Sequence, residues 1–409
     1  MSHARPTSAR RTSRSRKLLT RFVPLLLVLG LGAYVGACAI APLPEPTLSL
    51  SAPETATIAA DVSAPQAVVD AQSFPTAVGW LDDDDVWSND DRSHPIASIT
   101  KLVTVLVCLE EKPLAPGTDG PGYVWTAADR ARQDVYLGMD GVAYPIPVGT
   151  EITLRQMLQL ILLPSANDFA AAYAYWTFGD NDAFIAAVDA WKAKHGLESL
   201  TLVEPSGMDE RNAATPADLV RIARLALQNP AVAEFTKMPS AVLPWGIGLV
   251  ANTNPLLAEV PGVIGLKTGS LLAIGYNLLL AQKVALGDRE VVRISATLLR
   301  PSPSARAQSG RDVLAALDTL SQEIPAIELG QHIGTLTGID GAVVDLFADS
   351  SANVTLLPGE EAVIAVDRGA SLVSVSSPGG NASIPIRQSG PLAEPDLWWR
   401  ITHPFALFF

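Results

Sequence analysis

A long uncharged run lies close to the start of this sequence. Residues 22–41 are mostly apolar, and as a helix they are long enough to cross most of a bilayer core. Residues 1–21 form a basic arm with seven Lys and Arg and no acid, which keeps that side in the cytoplasm and delivers the rest of the chain outside. We therefore expect a signal or anchor segment at 22–41. It is either retained, or cleaved, or lipidated at Cys38, which follows small residues as in bacterial lipoprotein signals.

Residues 42–66 are rich in Pro, Ala, Ser and Thr, and five prolines break any periodicity. This composition predicts a flexible Pro-rich stalk. Short apolar runs at 77–80 and 86–87 then flank four adjacent aspartates at 82–85, which predicts a β-hairpin. The aspartates lack the spaced ligands and the glycine of a calcium loop, so we interpret them as a solvated turn.

The hydrophobic pattern is helical in the first part of residues 67–327 and strand-like in the last part. Residues 98–109 are apolar almost all round, as a helix buried in a domain requires. A second helical pattern at 154–161 breaks near Pro164 and resumes from 168 to 178. The later strand-like runs are 263–269, 276–284 and 290–299, with a turn at 286–288, and an amphipathic helix follows them. Together these patterns predict an α+β domain whose sheet includes a long β-hairpin.

Residues 328–390 change character, because short β-prone runs alternate with glycine and proline. They predict a small all-β domain. Residues 391–409 form an aromatic tail, with Trp398, Trp399 and a final group of phenylalanines. The tail is too short to span a bilayer, so we expect it either to rest on a membrane surface or to pack against the β-domain.

Charge and composition exclude several classes of function. The net charge is −13, and outside the basic arm 22 basic residues face 42 acidic ones, so the folded part should repel nucleic acid and anionic lipid. Cys38 and Cys108 lie in the export segment and in an apolar helix, and we expect no disulfide between them. The five histidines have no zinc-like spacing. We predict no metal and no cofactor.

Three short motifs occur in one order along residues 67–327. They are S-x-x-K at Ser98 and Lys101, S-x-N at Ser165 and Asn167, and K-T-G at 267–269. Each motif alone is weak evidence, whereas the three in this order are strong evidence. A second S-x-N, at Ser351, follows the K-T-G and is in the wrong order.

These residue types predict an active-site serine hydrolase that needs no histidine. A serine hydroxyl requires a base, and a lysine serves as that base only when it is neutral, which burial and a second cation favour. We interpret Ser98 as the nucleophile and Lys101 as its base, with Lys267 as the second cation. Ser165 is suited to relay a proton to the leaving amine. Asn167 can hold both Lys101 and a substrate amide.

The third motif predicts the opposite wall of a substrate-binding cleft. Lys267 and Thr268 would engage a terminal carboxylate, while Gly269 would let an edge strand approach closely. The backbone N–H groups of Ser98 and Ser270 would form an oxyanion hole.

The motif trio is the one found in class A β-lactamases and penicillin-binding proteins. The chain resembles a penicillin-binding D-alanyl-D-alanine carboxypeptidase of the S11 serine peptidase family over about 67–325, including the stretches 147–168 and 205–208. The resemblance implies a β-lactamase/transpeptidase-like catalytic domain, with a helical cluster beside an antiparallel sheet made from both ends of that domain. It also implies removal of the terminal D-alanine of peptidoglycan stem peptides through an acyl-enzyme on Ser98, and covalent inhibition by β-lactam antibiotics.

Several alternatives remain open. Leucines follow Ser270, and the residues before Ser98 are unusually polar, and both departures from the family pattern bear on substrate preference. A β-lactamase would need a deacylating glutamate four places before an asparagine, and the sequence has none. An esterase or amidase on this scaffold would not usually keep all three motifs. A non-catalytic wall-sensing protein would bind penicillin and release no D-alanine.

Overall fold

The structure, a computed structural model, describes residues 14–367 and 371–408. The helices are α1 (Arg14–Ile40), α2 (Ala64–Asp70), α3 (Thr100–Glu111), α4 (Ala127–Gly138), α5 (Leu154–Leu162), α6 (Asn167–Phe178), α7 (Asn181–Lys194), α8 (Pro216–Gln228), α9 (Pro230–Thr236), α10 (Leu256–Glu259), α11 (Pro303–Asp318), α12 (Leu397–Thr402) and α13 (Pro404–Phe408). The strands are β1 (Thr47–Leu50), β2 (Thr55–Ala59), β3 (Thr76–Trp80), β4 (Val86–Ser88), β5 (His94–Pro95), β6 (Gly122–Val124), β7 (Glu151–Thr153), β8 (Ala213–Ala214), β9 (Ser240–Leu243), β10 (Gly248–Ala251), β11 (Val263–Leu271), β12 (Gly275–Leu286), β13 (Arg289–Arg300), β14 (Gln322–Ile327), β15 (His332–Thr337), β16 (Val343–Ala348), β17 (Ala352–Leu356), β18 (Glu361–Asp367), β19 (Leu372–Ser377) and β20 (Gly380–Gln388).

The described residues divide into two compact units. The larger unit comprises Ala59–Glu323 together with Thr355–Glu361. The β unit comprises the described parts of Met1–Ile58, Ile324–Val354 and Ala362–Phe409.

The larger unit is organised around a five-stranded antiparallel sheet in the order β11-β12-β13-β3-β4. β3 precedes the helices in sequence and β13 follows them, yet the two pair directly, with Gly79 opposite Ile294. The sheet is therefore made from both ends of this unit, as the family resemblance implied. The predicted hairpins are also confirmed: Val78 pairs with Trp87 across the aspartate turn, and β12 and β13 pair around the turn at 287–288.

A cluster of helices packs against one face of this sheet and buries the core of the larger unit. α3 is its most enclosed helix, because every residue from Thr100 to Leu109 is buried, as its all-round apolar pattern predicts. α5 begins at a capping box between Thr153 and Gln156, in which side chain and backbone groups bond reciprocally. α6 follows α5 after a short connection that includes Ser165. Ser165 therefore lies between two helices, as predicted, whereas Asn167 is the first residue of α6.

The β unit contains a seven-stranded sheet in the order β1-β15-β16-β20-β19-β18-β2. The expectation of a flexible stalk at 42–66 differs from this arrangement, because β1 and β2 are the two outer strands of the sheet. Thr47 pairs with Thr337 at one edge. The sequences TLSL and TATIA alternate in exposure with a period of two, and edge strands tolerate the prolines that flank them. Pro46 and Pro53 thus lie beside edge strands, and Pro65 lies at the start of α2.

α1 carries a stretch, Phe22–Ile40, that is long and apolar enough to cross a membrane. It is the one such helix among residues 14–367 and 371–408. Most side chains of this stretch are exposed, which distinguishes it from a core helix such as α3.

Candidate active site

Ser98 lies in a single 3-10 turn, Ala97–Ile99, that leads directly into α3. Its flanking residues Ile96 and Ile99 are fully buried, so the core fixes the backbone while the hydroxyl remains partly accessible. Lys101 follows one turn later, and its Nζ lies 2.8 Å from Ser98 Oγ. The first motif therefore brings nucleophile and base into direct hydrogen-bond contact, as the i,i+3 spacing predicts.

Lys101 is fully buried, and burial lowers its pKa to about 7 because a desolvated ammonium is costly. The carboxylates of Glu204 and Asp168 act in the opposite direction and raise it. The Nζ also donates to the backbone carbonyl of Ser206 at 2.5 Å. A substantial fraction of this amine is therefore neutral near pH 7, which is what a general base requires.

Ser165 occupies the connection between α5 and α6 with a φ of 71°, an uncommon conformation for a non-glycine residue. Its Oγ accepts a hydrogen bond from Lys267 Nζ at 2.9 Å. The site thus contains a second Ser–Lys pair, formed between two motifs 102 residues apart.

Asn167 has different contacts from those we expected. Its Oδ1 accepts from the backbone N–H of Val142 at 3.1 Å, and its own N–H donates to the Val142 carbonyl at 2.7 Å. In place of the Asn167 contact that the sequence suggested, Lys101 Nζ donates to Ser98 Oγ and to the Ser206 carbonyl. The Asn167 Nδ2 is buried without a partner among the described residues, and a substrate carbonyl would satisfy it.

The third motif lies on β11, at the edge of the sheet that faces Ser98. Lys267 is almost fully buried, and burial lowers its pKa well below the ordinary value, with further lowering by the nearby cations Lys101 and Arg306. Repulsion between two neighbouring cations is mutual, so the approach of Lys101 and Lys267 favours a neutral amine in this pair. Thr268 Oγ1 lies 2.6 Å from the hydroxyl of Thr253.

Two glycines allow the chain to close around the nucleophile. A Cβ on Gly269 would lie 2.6 Å from the Ile96 carbonyl oxygen and 3.2 Å from the Ser98 nitrogen, so β11 approaches this turn only because residue 269 has no side chain. A Cβ on Gly207 would collide with the Ala97 carbonyl, and its φ is 84°. Glycine is therefore required on both sides of Ser98.

The motifs converge on one cleft of about 630 Å³. Six of the eight predicted site residues line it: Ser98, Ser165, Asn167, Thr268, Gly269 and Ser270. The two lysines lie behind this lining and reach it through the two serine hydroxyls. No group of three or more His, Cys, Asp or Glu within the described part of the chain could hold a metal ion.

Sequence reasoning missed two contributors to the site. Glu204 accepts hydrogen bonds from the backbone N–H groups of Ser206, Gly207 and Met208 at 2.5 to 2.8 Å, so it holds the loop whose carbonyl receives Lys101. The family resemblance included residues 205–208 of this loop but not the adjacent carboxylate of Glu204.

Arg306 is the second missed residue, and it lines the same cleft from α11. Its guanidinium lies 5.7 Å from the Tyr276 ring centre, and its buried Nε has no partner among the described residues. Burial lowers its pKa, but an arginine stays protonated in proteins. It therefore supplies the cleft with a permanent positive charge, and it lies outside the three motifs.

Fold and site together define a serine peptidase of the penicillin-binding type, and sequence comparison gives the family. The family model for the S11 peptidases, described as D-alanyl-D-alanine carboxypeptidase, matches residues 86–294, about half of the chain. The chain therefore belongs to the S11 D-alanyl-D-alanine carboxypeptidase family, which confirms the resemblance drawn from its motifs.

Individual relatives agree with this assignment. The chain is 35% identical over 196 residues to D-alanyl-D-alanine carboxypeptidase DacB2 of Mycobacterium tuberculosis, covering 46% of this chain and 63% of the relative. It is 32% identical over 199 residues to a D-alanyl-D-alanine endopeptidase of Pseudomonas aeruginosa, covering 47% and 60%. The chain thus spans somewhat less than two thirds of the length of these curated relatives.

Solved structures show the same fold. The Streptomyces K15 DD-transpeptidase superposes with a TM-score of 0.51 at 23% identity, covering 59% of this chain and 96% of that one. Penicillin binding protein 5 from Haemophilus influenzae gives a TM-score of 0.55 at 17% identity, covering 76% and 95%. The α+β, β-lactamase/transpeptidase-like fold class is therefore confirmed.

Proposed function

We propose that this protein is a serine-type D-alanyl-D-alanine carboxypeptidase that removes the terminal D-alanine of peptidoglycan stem peptides and is acylated by penicillins. The single observation that carries the proposal is the Ser98 Oγ to Lys101 Nζ distance of 2.8 Å, in a cleft where the base is buried and partly neutral. Family membership and a relative named D-alanyl-D-alanine carboxypeptidase support the choice of substrate.

In the first step, Ser98 Oγ attacks the carbonyl carbon of the penultimate D-alanine while neutral Lys101 takes the hydroxyl proton. The carbonyl oxygen becomes an oxyanion, which the backbone N–H groups of Ser98 and Ser270 would stabilise. Asn167 lines the cleft, and its buried Nδ2 has no partner among the described residues, so this side chain would hold the peptide carbonyl of the substrate in register. These contacts make the attack intramolecular in effect.

In the second step, the tetrahedral intermediate collapses and breaks the peptide bond. The departing D-alanine nitrogen needs a proton, and Lys101 would return the one it took from Ser98, with Ser165, whose hydroxyl is held by Lys267, as the relay to that nitrogen. Water then attacks the Ser98 ester, loses a proton to Lys101, and releases the shortened peptide with Ser98 restored. The sum of these steps is hydrolysis, and it requires no cofactor.

The carboxylate of the terminal D-alanine would bind on the wall opposite Ser98. Thr268 supplies a hydroxyl there, and Arg306 supplies the positive charge. Lys267 contributes less charge than the sequence suggested, because its pKa is strongly lowered. With this division, the cleft would attract a carboxylate through Arg306 while burial keeps the pKa of both lysines low.

A second candidate substrate is cross-linked peptidoglycan, since one of the relatives is named an endopeptidase. The two activities share the acyl-enzyme and differ in the leaving group, which is free D-alanine or the cross-linking amine of a second stem peptide. Leu272, which is 99% exposed at the rim of the cleft, lies where the larger leaving group would extend.

The enzyme would act outside the cytoplasm, attached to the cell membrane and facing the wall. Support comes from the apolar stretch of α1 and from the basic arm that precedes it in the sequence, which together favour a cytoplasmic arm and an external folded part.

Intact mass after incubation with benzylpenicillin tests the nucleophile directly. We expect one covalent adduct on the unmodified protein and none on Ser98→Ala. An adduct on both proteins, or on neither, would show that the nucleophile is assigned wrongly.

Release of free D-alanine from a stem pentapeptide tests turnover, with a cross-linked dimer in a parallel assay. Penicillin labelling without D-alanine release from either substrate would identify a wall-sensing protein. Rapid loss of the penicillin adduct by hydrolysis would identify a β-lactamase.

A further inference from the structure

α12, in the aromatic tail, lies against the last turns of α1. The hydroxyl of Tyr34 donates to the backbone carbonyl of Ile401 at 2.6 Å, across 367 positions in sequence. Cys38 is fully buried, although most of the side chains from Phe22 to Ala37 are exposed. A helix with the length and composition of a membrane span therefore has a specific protein partner at one end.

Arg400 caps that end of α1. Its Nη1 donates to the carbonyls of Ala39 at 3.3 Å and Ala41 at 3.1 Å. The last carbonyls of a helix lack internal partners and carry the negative end of the helix dipole, so a cation there is favourable. The arginine is itself held by the Pro395 carbonyl and by Glu394, and its side chain is only 12% exposed. The contact is thus a formed cap.

The tail also presents large apolar side chains to its surroundings. Trp398 is 73% exposed and Phe405 is 77% exposed, while Leu397 and Phe408 are about half exposed. Tryptophan is the side chain most typical of the boundary between lipid and water. The segment 391–408 contains one arginine against two acids, so electrostatic attraction to anionic lipid would not hold it there.

The position of the contact along α1 sets the depth of these rings. Phe22–Ile40 has 19 residues, which span about 28 Å at 1.5 Å per residue, close to the ~30 Å hydrocarbon core of a bilayer. Ala39 and Ala41 would then lie at the outer boundary of the core, and α12, which bonds to them, would lie at the same level.

We propose that the aromatic tail docks on the outer end of α1 and inserts its exposed rings into the outer interfacial layer of the bilayer. The partner of the exposed rings is lipid, and the interaction is apolar. The inference rests on the proposed membrane insertion of α1. It also requires α1 to be retained, because cleavage at Cys38 would remove Tyr34 and its bond to α12. The β unit would then be attached to the membrane at both α1 and the tail.

The test uses the full chain, with a bimane fluorophore on Trp398→Cys, reconstituted in phosphatidylcholine vesicles with or without brominated acyl chains. We expect brominated lipid to quench the fluorophore, and quenching to fall at least about twofold when Arg400→Ala is added, because the cap that positions the tail is lost. The matched control is Arg387→Ala, which removes a half-exposed arginine of the same unit and should leave quenching unchanged. Zwitterionic lipid is used because the proposed binding is apolar.

Each other outcome overturns the inference at a different point. If the protein floats with the vesicles but shows no quenching, α1 is inserted in the membrane and the tail is not. Quenching that survives Arg400→Ala means the tail inserts without docking on α1. Quenching that disappears when the protein is diluted in the vesicles indicates that the exposed rings contact a second copy of the protein. An intact mass lacking the residues before Cys38 excludes the docked arrangement altogether.

Penicillin labelling of the same samples keeps this inference separate from the proposed function. Arg400→Ala should be labelled as fully as the unmodified protein, because Arg400 belongs to the β unit. A variant that is labelled normally and loses quenching is folded at its active site, so the loss reports on the tail. Absence of labelling in every sample would instead contradict the proposed function.

Discussion

The active site contains two Ser–Lys pairs of nearly the same geometry, which we propose have different roles. Ser98 and Lys101 are 2.8 Å apart, and Ser165 and Lys267 are 2.9 Å apart. Both lysines are buried, but Lys101 has two carboxylates that raise its pKa, whereas Lys267 has two cations that lower it further. Ser98 is also the more accessible hydroxyl, since Ser165 is only 6% exposed. Surroundings, rather than the pair itself, distinguish nucleophile from relay.

Exchanging the two serines for alanine should give the largest contrast. Ser98→Ala removes the atom that becomes acylated, so benzylpenicillin labelling should be lost completely. Ser165→Ala should still be labelled, at a rate lower by about 10²- to 10³-fold, because only a proton relay is lost. Stopped labelling time courses measure both. Equal loss in the two variants would contradict the division of roles.

Replacing each lysine by methionine, which keeps much of the volume and removes the amine, should give the next largest contrast. Lys101→Met should slow acylation by about 10³-fold or more, because no base remains beside Ser98. Lys267→Met should slow it by about 10- to 10²-fold, because Ser165 loses its partner while the base is kept. The second-order acylation rate is the measurement. A larger loss in Lys267→Met would reverse the assignment of the base.

The approach of β11 to Ser98 can be weakened without touching either lysine. Gly269→Ala places a Cβ 2.6 Å from the Ile96 carbonyl oxygen, so the strand must move away, and we expect acylation to fall by about 10²-fold, as small displacements at an active site commonly cause. Gly138→Ala is the control, because a Cβ there meets nothing within 4 Å. Thermal unfolding of both variants separates a local shift from loss of the fold. Unchanged acylation in Gly269→Ala would show that the close approach has no catalytic value.

The smallest expected effect is on pH dependence. Lys101 must be neutral to accept a proton, so the acylation rate should rise as pH rises through about 7, the pKa of its amine. Asp168 raises that pKa by its charge. Asp168→Asn should therefore lower the Lys101 pKa and move the rising limb to lower pH, by about half a unit. A shift in the other direction, or a rate that falls with pH, would identify a different base.

The free energy of unfolding should also depend on pH through the amine of Lys101. In the unfolded chain Lys101 binds its proton up to its ordinary pKa near 10.5, whereas in the folded protein it loses the proton near pH 7. Between these values the unfolded state holds more protons, so the free energy of unfolding should rise with pH across this window. Lys101→Met should flatten the rise, which denaturant unfolding at several pH values would measure.

The sequence predicted those parts of the site that local pattern determines. Ser98 and Lys101 meet because they lie one turn apart at the start of a helix, and the third motif lies on the first of three strand-like runs that short turns connect. The Asn167 contact with Val142 and the Glu204 contacts with the 205–208 loop escaped prediction. Both depend on loops whose paths follow from packing, and loop carboxylates and amides carry no periodic signal.

Long-range pairing limited the prediction of the fold in the same way. TLSL at 47–50 forms a strand because it pairs with residues 334–337. That partner lies almost 290 residues later in the sequence, and nothing near Thr47 predicts the pairing. The cap that Arg400 places on α1 is similarly invisible from either segment alone. By contrast, the β12–β13 hairpin was predictable because its turn and both strands are contiguous.

Under the proposed acylation by penicillins, the glycines on either side of Ser98 restrict how this site can change under selection by antibiotics. Any side chain at 207 or 269 would meet the backbone that carries the nucleophile, so substitutions that reduce drug affinity there would also remove catalysis. Substitutions should be tolerated better at the exposed rim of the cleft, where Leu272 is almost fully exposed and Met139 is half exposed. Resistance arising within this protein should therefore alter the outer part of the ligand's environment and leave its reacting centre intact.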